Sequence, residues 1–272
     1  MPQLSLRADA KLKQALAHAL ASTPTPSPTP IVAWQLGQLC DTPSCAFFIG
    51  YQCALRHLDP SLSPSAWAAF AVSEKGVKSP YEMHSTYHST YRHLQGEKSF
   101  LPWPPSGLDC LYLMLREGEE LVVLRLPKEA IAQLELKAPS TVPLMPALPH
   151  RAFSFDLTLP HDYLYCRNAQ QQVNKPFRYF EDVHVALALA GWLSRVAQQS
   201  LDAQVQALQA AFTAAPRYFT LESMQALEDL LQALEQAAQA LSQSERQDWQ
   251  RDSQLLKFTA VIRQKIKAQL LK

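Results

Sequence analysis

The sequence predicts an α+β fold in three stretches: a short N-terminal helical region at 1–63, a central antiparallel β domain at 64–168 and a C-terminal helical bundle at 169–272. Three observations carry this. Between about 66 and 165, short apolar or alternating runs (AWAAFAV, HSTYHSTYRHL, CLYLML, ELVVLRLP, AFSFDLTLP) are separated by Gly, Pro and charged pairs, the pattern of antiparallel strands. Beyond Pro176 only Pro216 interrupts the tail, and apolar residues recur there at three- and four-residue steps. Strands and helices are segregated along the chain, which argues for α+β over alternating α/β.

The elements follow in order. MPQLSLRADAKLKQALAHALA reads as a short amphipathic helix without the apolar core and cleavage site of a signal peptide. STPTPSPTP (22–30) alternates proline with Ser/Thr and predicts an extended connector with no helix. SCAFFIGYQCALRHL (44–58) suits a buried helix stopped by Asp59-Pro60. EGEE (117–120) predicts a hairpin turn of the longer kind, and VPLMPALPH (142–150) a loop. In the tail, Leu221, Met224, Leu227, Leu231, Leu234, Ala238 and Leu241 draw one apolar stripe. Leu255, Thr259, Ile262, Ile266 and Leu270 draw another, as bundle helices should. Thr220 can cap the first of these helices, with Glu222 in its first turn.

Composition excludes several functions. A chain of 272 residues can bury a sizeable core. Its net charge is +1, so no general basic field exists for nucleic acid or anionic lipid. No apolar run reaches the roughly 20 residues of a membrane span. With no address visible, a cytoplasmic location is expected. The five cysteines, Cys40, Cys45, Cys53, Cys110 and Cys166, are scattered without a CxxC and read as reduced thiols, not zinc ligands. The seven glycines include neither a GxGxxG nor a GxxxxGK spacing, which disfavours Rossmann and P-loop nucleotide sites.

YEMHSTYHSTYRH (81–93) carries His84, His88 and His93. On one continuous strand His84 and His88 would stand about 13 Å apart, too far to share an ion bonded near 2.0 Å. Thr and Tyr favour a strand, so a polar strand or hairpin face is expected and no metal site; a turn at His88-Ser89 would change that geometry.

Four segments, in order, resemble the acyl-CoA dehydrogenase superfamily of flavoproteins. FAVSEKGVKS (70–79) is similar to the family's segment of an aromatic, two small apolar residues and T-E-P-x-A-G-S. GEKSFL (96–101) is similar to G-x-K-x-W-I-T, CLYLMLREGEELVVLRLPKEA (110–130) to its pair of apolar strands, and AFSFD…LPHDYL (152–164) to the strand that closes its β domain. The resemblance implies a helical domain, a β domain and a four-helix bundle. It also implies FAD as cofactor, an acyl-CoA or other acyl thioester as substrate, and a homodimer or homotetramer. The implied chemistry is α,β-oxidation, with a carboxylate taking the α-proton and a hydride passing to the flavin. Residue by residue, it implies flavin contacts from Ser73, Ser79 and Phe100, and from Gln225 after a distorted R-x-x-F-G turn at Arg217 and Phe219. The glycine-rich segment beside the usual C-terminal base is missing. Glu181, ten positions before Gly191 in FEDVHVALALAG, matches the alternative base of some subfamilies.

The departures leave a second reading open. Lys75 and Lys78 replace proline and glycine in the flavin loop, Pro80 replaces an aspartate, and Pro102 replaces a threonine. A degenerate relative, without flavin or turnover and acting as a binding or assembly module, fits these changes too. A third reading takes Arg263, Lys265, Lys267 and Lys272 as a basic helix for a partner, though such a run is usually a solvated face.

Overall fold

A computed structural model of the chain describes residues 3–23, 28–139 and 145–271. The chain divides into two compact units: Met1–Ser65, Pro143–Ala147 and Phe177–Lys272 form one, and Ala66–Val142 with Leu148–Pro176 the other. The fold is α+β, with helices at both chain ends and a sheet between them in sequence. No helix of the described residues is long and apolar enough to cross a membrane.

The helical unit begins with α1 (Asp9–Ser22), α2 (Thr29–Gly37) and α3 (Pro43–Leu58). The predicted connector 22–30 is shorter than the sequence suggests. Residues 24–27 lie outside the described residues, but α2 already starts at Thr29 with Pro30 in its first turn. Proline is tolerated there because its missing N–H has no intrahelical partner to lose. α3 is capped by the Thr42 hydroxyl, which accepts from Cys45 N, and ends at Leu58. Cys40, Cys45, Cys53 and Cys110 are buried, and all five cysteines are free thiols.

One short helix, α4 (Lys128–Ile131), lies within the sheet unit; after the last strand come α5 (Lys175–Ala197), α6 (Asp202–Ala214), α7 (Leu221–Ala237), α8 (Gln243–Asp252) and α9 (Gln254–Leu270). α5 packs unusually close to α2 and α3. A Cβ on Gly50 would lie 2.6 Å from Val185 Cα, and one on Gly191 would lie 2.3 Å from Trp34 O. Both positions admit glycine alone, since backbone cannot retreat as a side-chain tip can. Thr220 caps α7 in a capping box with Ser223. The buried α7 stripe runs through Met224, Leu227, Leu230 and Leu234, while Leu221 is exposed; the alternative 3–4 step through Leu230 wins over Leu231. The α9 stripe is only half-buried at Leu255, Thr259, Ile262 and Ile266.

A buried polar chain crosses the helical unit. His184, fully buried on α5, donates from Nδ1 to Phe180 O at 2.6 Å and accepts at Nε2 from the Thr29 hydroxyl at 2.9 Å. A ring that must donate at one nitrogen and accept at the other is neutral. Burial, with the neighbouring His57 ring adding to it, lowers His184 to about 3. Its folded value thus lies below its unfolded one, so the unfolded chain alone binds that proton between about 6.5 and 3. Stability is therefore expected to fall as pH drops below 6.5, by at most about 1.4 kcal/mol per pH unit from this group. Urea unfolding at pH 7 and pH 5, compared with His184→Gln, checks this; an unchanged acid slope in the variant contradicts it.

The other unit holds one eight-stranded sheet. Its strands are β1 (Ala68–Ala71), β2 (Thr86–His88), β3 (His93–Pro102), β4 (Cys110–Glu117), β5 (Glu120–Pro127), β6 (Glu135–Leu136), β7 (His150–Thr158) and β8 (Leu164–Cys166). The order is β6-β7-β3-β2-β4-β5-β8, with β1 beside β4. Most neighbours are antiparallel, as expected, but β1 and β2 both run parallel to β4, so the sheet is mixed. Buried residues fill β4 from Cys110 to Leu115.

One turn differs from expectation and another resolves it. EGEE is a two-residue hairpin, because Glu117 pairs with Glu120 and Gly118 takes φ 61° at its tip. The histidine tract is a hairpin, one of the two forms expected of it. His88 pairs with His93, and Arg92 turns the chain at φ 51°. His93 Nε2 bonds Asp156 Oδ1 at 2.9 Å. No group of three or more potential metal ligands stands together among the described residues. Of VPLMPALPH, residues 142–144 lie outside the described residues, and His150 already belongs to β7.

Candidate functional site

In the sheet unit, the segment after β1 is anchored by one buried carboxylate. Glu74 Oε1 receives Lys98 Nζ at 2.7 Å, and their side chains are 3% and 0% exposed. Glu74 also accepts from His84 N at 2.7 Å and Ser85 N at 3.2 Å, while Lys98 reaches Val72 O at 3.4 Å. Burial pushes the Glu74 carboxyl up, but the Lys98 ammonium and the two N–H donors outweigh it and hold it below the usual range. Two strands and the segment between them are thus tied at one point.

That tie sets the geometry around Ser73 and Phe100. Ser99 N donates to Ser73 O at 2.9 Å, which lays 73 directly beside β3. The β3–β7 register shifts between Lys98 and Leu101, and within this bulge Phe100 adopts φ 60°. A left-handed aromatic residue is rare. Here it turns the ring outward, leaving Phe100 61% exposed. Ser73 is exposed, and its hydroxyl has no hydrogen-bond partner among the described residues. Lys75 and Lys78 are exposed around Gly76, which takes φ 81°. Ser79 caps a single turn, its hydroxyl accepting from Tyr81 N at 3.4 Å. A solvent-open groove of about 430 Å³ shares Glu74 and Lys75 with this segment but is lined by neither Ser73 nor Phe100.

In the helical unit, Glu181 lies in the first half of α5. Among the described residues its carboxylate makes no hydrogen bond or ion pair. Burial, together with the adjacent Asp182, raises it to about 7, against a weaker pull from Arg178. Its residue is not sealed, since part of the side chain reaches solvent. Asp182 is 6% exposed. Gln225 is exposed on α7 and donates to Asp229 Oδ1 at 2.8 Å, an ordinary i,i+4 pair. The preceding turn holds Phe219 against Tyr179, with ring centroids 4.3 Å apart.

Ser73 and Phe100 are therefore brought side by side within the sheet unit, and Ser79 follows on the same segment. Glu181 and Gln225 stand on different helices of the other unit. Sequence reasoning missed the Glu74–Lys98 pair, because nothing local couples a residue after β1 to one on β3. It also missed Asp182 and Arg263. Arg263 is not on a solvated basic face: it is 7% exposed and bonds Asp182 Oδ1 at 3.3 Å. Lys267 is likewise engaged, with Glu228 on α7. Lys272 lies outside the described residues.

No family model and no curated relative matches this sequence. Solved structures do match its fold. AnaB, a prolyl acyl carrier protein oxidase, is 15% identical with a TM-score of 0.71, covering 99% of this chain and 91% of its own. Butyryl-CoA dehydrogenase from Megasphaera elsdenii is 9% identical with a TM-score of 0.71, covering 96% and 89%. PigA in complex with FAD is 14% identical with a TM-score of 0.65, covering 91% and 80%. Likeness at such low identity concerns the fold, and the chain has the acyl-CoA dehydrogenase fold.

Proposed function

We propose that this protein is an FAD-dependent dehydrogenase that oxidises the α,β bond of an acyl thioester. The observation that carries the reading is the bulge that exposes Phe100 on the strand that bonds Ser73, whose hydroxyl has no partner among the described residues. An outward aromatic face and an exposed hydroxyl, next to a buried ion pair in sequence, suit a planar heteroaromatic ring with polar edges. By resemblance alone, Ser73, Ser79, Phe100 and Gln225 match the family's flavin contacts. Lys75 and Lys78 bring positive charge to the same segment, which suits an anionic cofactor.

The residues would divide the work as follows. Ser73 donates or accepts a hydrogen bond at the ring edge, and Phe100 packs on its face. FAD, when bound, supplies the acceptor for the hydride leaving the β-carbon. Glu181 takes the α-proton. A carboxylate raised to about 7 is a far better base at neutral pH than an ordinary one, and among the described residues Glu181 has no hydrogen-bond or ion-pair partner to displace before it acts. The thioester is a CoA or a carrier-protein ester: butyryl-CoA dehydrogenase is named for the first, AnaB for an acyl carrier protein.

The competing reading is a binding module without flavin. Gln225, engaged with Asp229, favours it at that one position. The purified protein is expected to carry FAD or take it up, quenching its fluorescence. Phe100→Ala and Ser73→Ala should weaken uptake by roughly tenfold or more, the scale of one lost aromatic or hydrogen-bonding contact. Wild-type protein that takes up no FAD overturns the proposal in favour of the binding module.

A further inference from the structure

Arg263 approaches α5 from the last helix and is tied down on three sides. Its guanidinium donates to Asp182 Oδ1 at 3.3 Å, to Leu256 O at 2.8 Å and to the Thr259 hydroxyl. The ion-paired side chains are 8% and 6% exposed. Asp182 is the sequence neighbour of Glu181. Nothing in the proton abstraction assigned to Glu181 uses either partner of this buried pair.

We propose that Arg263 is a positioning residue for Glu181: it holds Asp182 as an anion next to Glu181, and that fixed negative charge keeps Glu181 strongly basic. The proposal rests on the reading of Glu181 as base. Burial alone would drive Asp182 to its neutral form, since an uncompensated charge at this depth costs several kcal/mol. Burial leaves its carboxyl raised above the usual value, and Arg263 is the foremost of the groups that hold that rise in check. A neighbouring anion raises the proton affinity of a carboxylate. The charged groups acting on the two carboxylates are Arg178, on α5 itself, and Arg263, on α9. Arg178 acts on both and so cannot separate them, whereas Arg263 addresses Asp182. The last helix thereby reaches the base without touching it.

The coupling is read by titrating the Glu181 carboxyl carbon by NMR in flavin-free protein, its resonance assigned with Glu181→Gln. Asp182→Asn, which keeps an oxygen for Arg263, should lower the Glu181 midpoint by about one pH unit, a tenfold change in acid constant. Arg263→Met should lower it similarly by letting Asp182 take a proton, and the double variant should add nothing further. Arg263→Lys should restore the wild-type midpoint. If Arg263→Met does not fold, Asp182→Asn and Arg263→Lys still decide the matter. An unmoved midpoint in Asp182→Asn overturns the proposal, whatever the turnover. A midpoint that moves as stated, with flavin reduction indifferent to pH, upholds the coupling and removes Glu181 as the base.

Discussion

Glu181→Gln is expected to bind FAD as the wild type does, to lose thioester-driven flavin reduction by several orders of magnitude, and to be more stable at alkaline pH. The first two follow from its role as the proton acceptor, since an amide cannot take a proton at neutral pH. The third follows from linkage. The folded value, about 7, lies above the unfolded value of 4.5. Between those values the folded state holds a proton that the unfolded state has released. Stability from this group is therefore complete below about 4.5 and is lost as pH rises through 7. At pH 8 the buried charge costs at most about 3 kcal/mol, and less because the side chain keeps some contact with water. Urea unfolding at pH 5.5 and pH 8 should show the variant gaining chiefly at the higher pH. A variant that reduces flavin at the wild-type rate removes Glu181 from the chemistry. One that gains no stability at pH 8 shows its charge to be solvated.

Lys98→Met is expected to destabilise the sheet unit by about 3–5 kcal/mol, the cost of leaving one member of a buried pair without its partner. Methionine matches the lysine stem in length, so the loss is of charge and not of packing. Glu74 would remain almost fully buried, still bonded to His84 N and Ser85 N but without a cation. The sign with pH is fixed. In the wild type Glu74 is held below its usual range, so its stabilisation is present at neutral pH and lost as pH falls through its folded value. The variant's deficit should therefore shrink in acid, where Glu74 protonates in both proteins. Pairing Lys98→Met with Glu74→Gln should recover part of the loss. Because Ser73 and Phe100 flank this pair in sequence, FAD uptake should weaken along with stability. Denaturant titrations at pH 7 and in acid below the folded value of Glu74 decide it, and a variant within about 1 kcal/mol of wild type at pH 7 would contradict the account of the anchor.

Much of the fold could be read directly, for reasons visible in particular residues. Alternation and turn chemistry marked most strands between Ala68 and Thr158, though not the short β6 and β8, and Thr220 announced the start of α7. Local signals failed where two local rules compete or where the deciding partner is distant. Pro30 looked like a helix breaker but sits in a first turn, where proline is allowed. Leu230 and Leu231 fit the helical period equally, and only packing separates them. The left-handed turn of Phe100 comes from the β3–β7 register, which no short window contains. Arg263 stands in a run of lysines and reads as surface, yet Asp182, far earlier in the sequence, draws it inward. The segment holding Ser73 and Phe100 was legible through resemblance. The ion pair that fixes it was not, because strand pairing brings Glu74 to Lys98.

The most direct test of the central claim is anaerobic mixing of the FAD-loaded protein with acyl thioesters, CoA-linked and carrier-linked, while following the oxidised flavin absorbance. The account predicts bleaching by at least one of them, with formation of the α,β-unsaturated thioester and no bleaching in Glu181→Gln. Flavin that stays oxidised with every thioester offered, in protein that binds FAD, would contradict it.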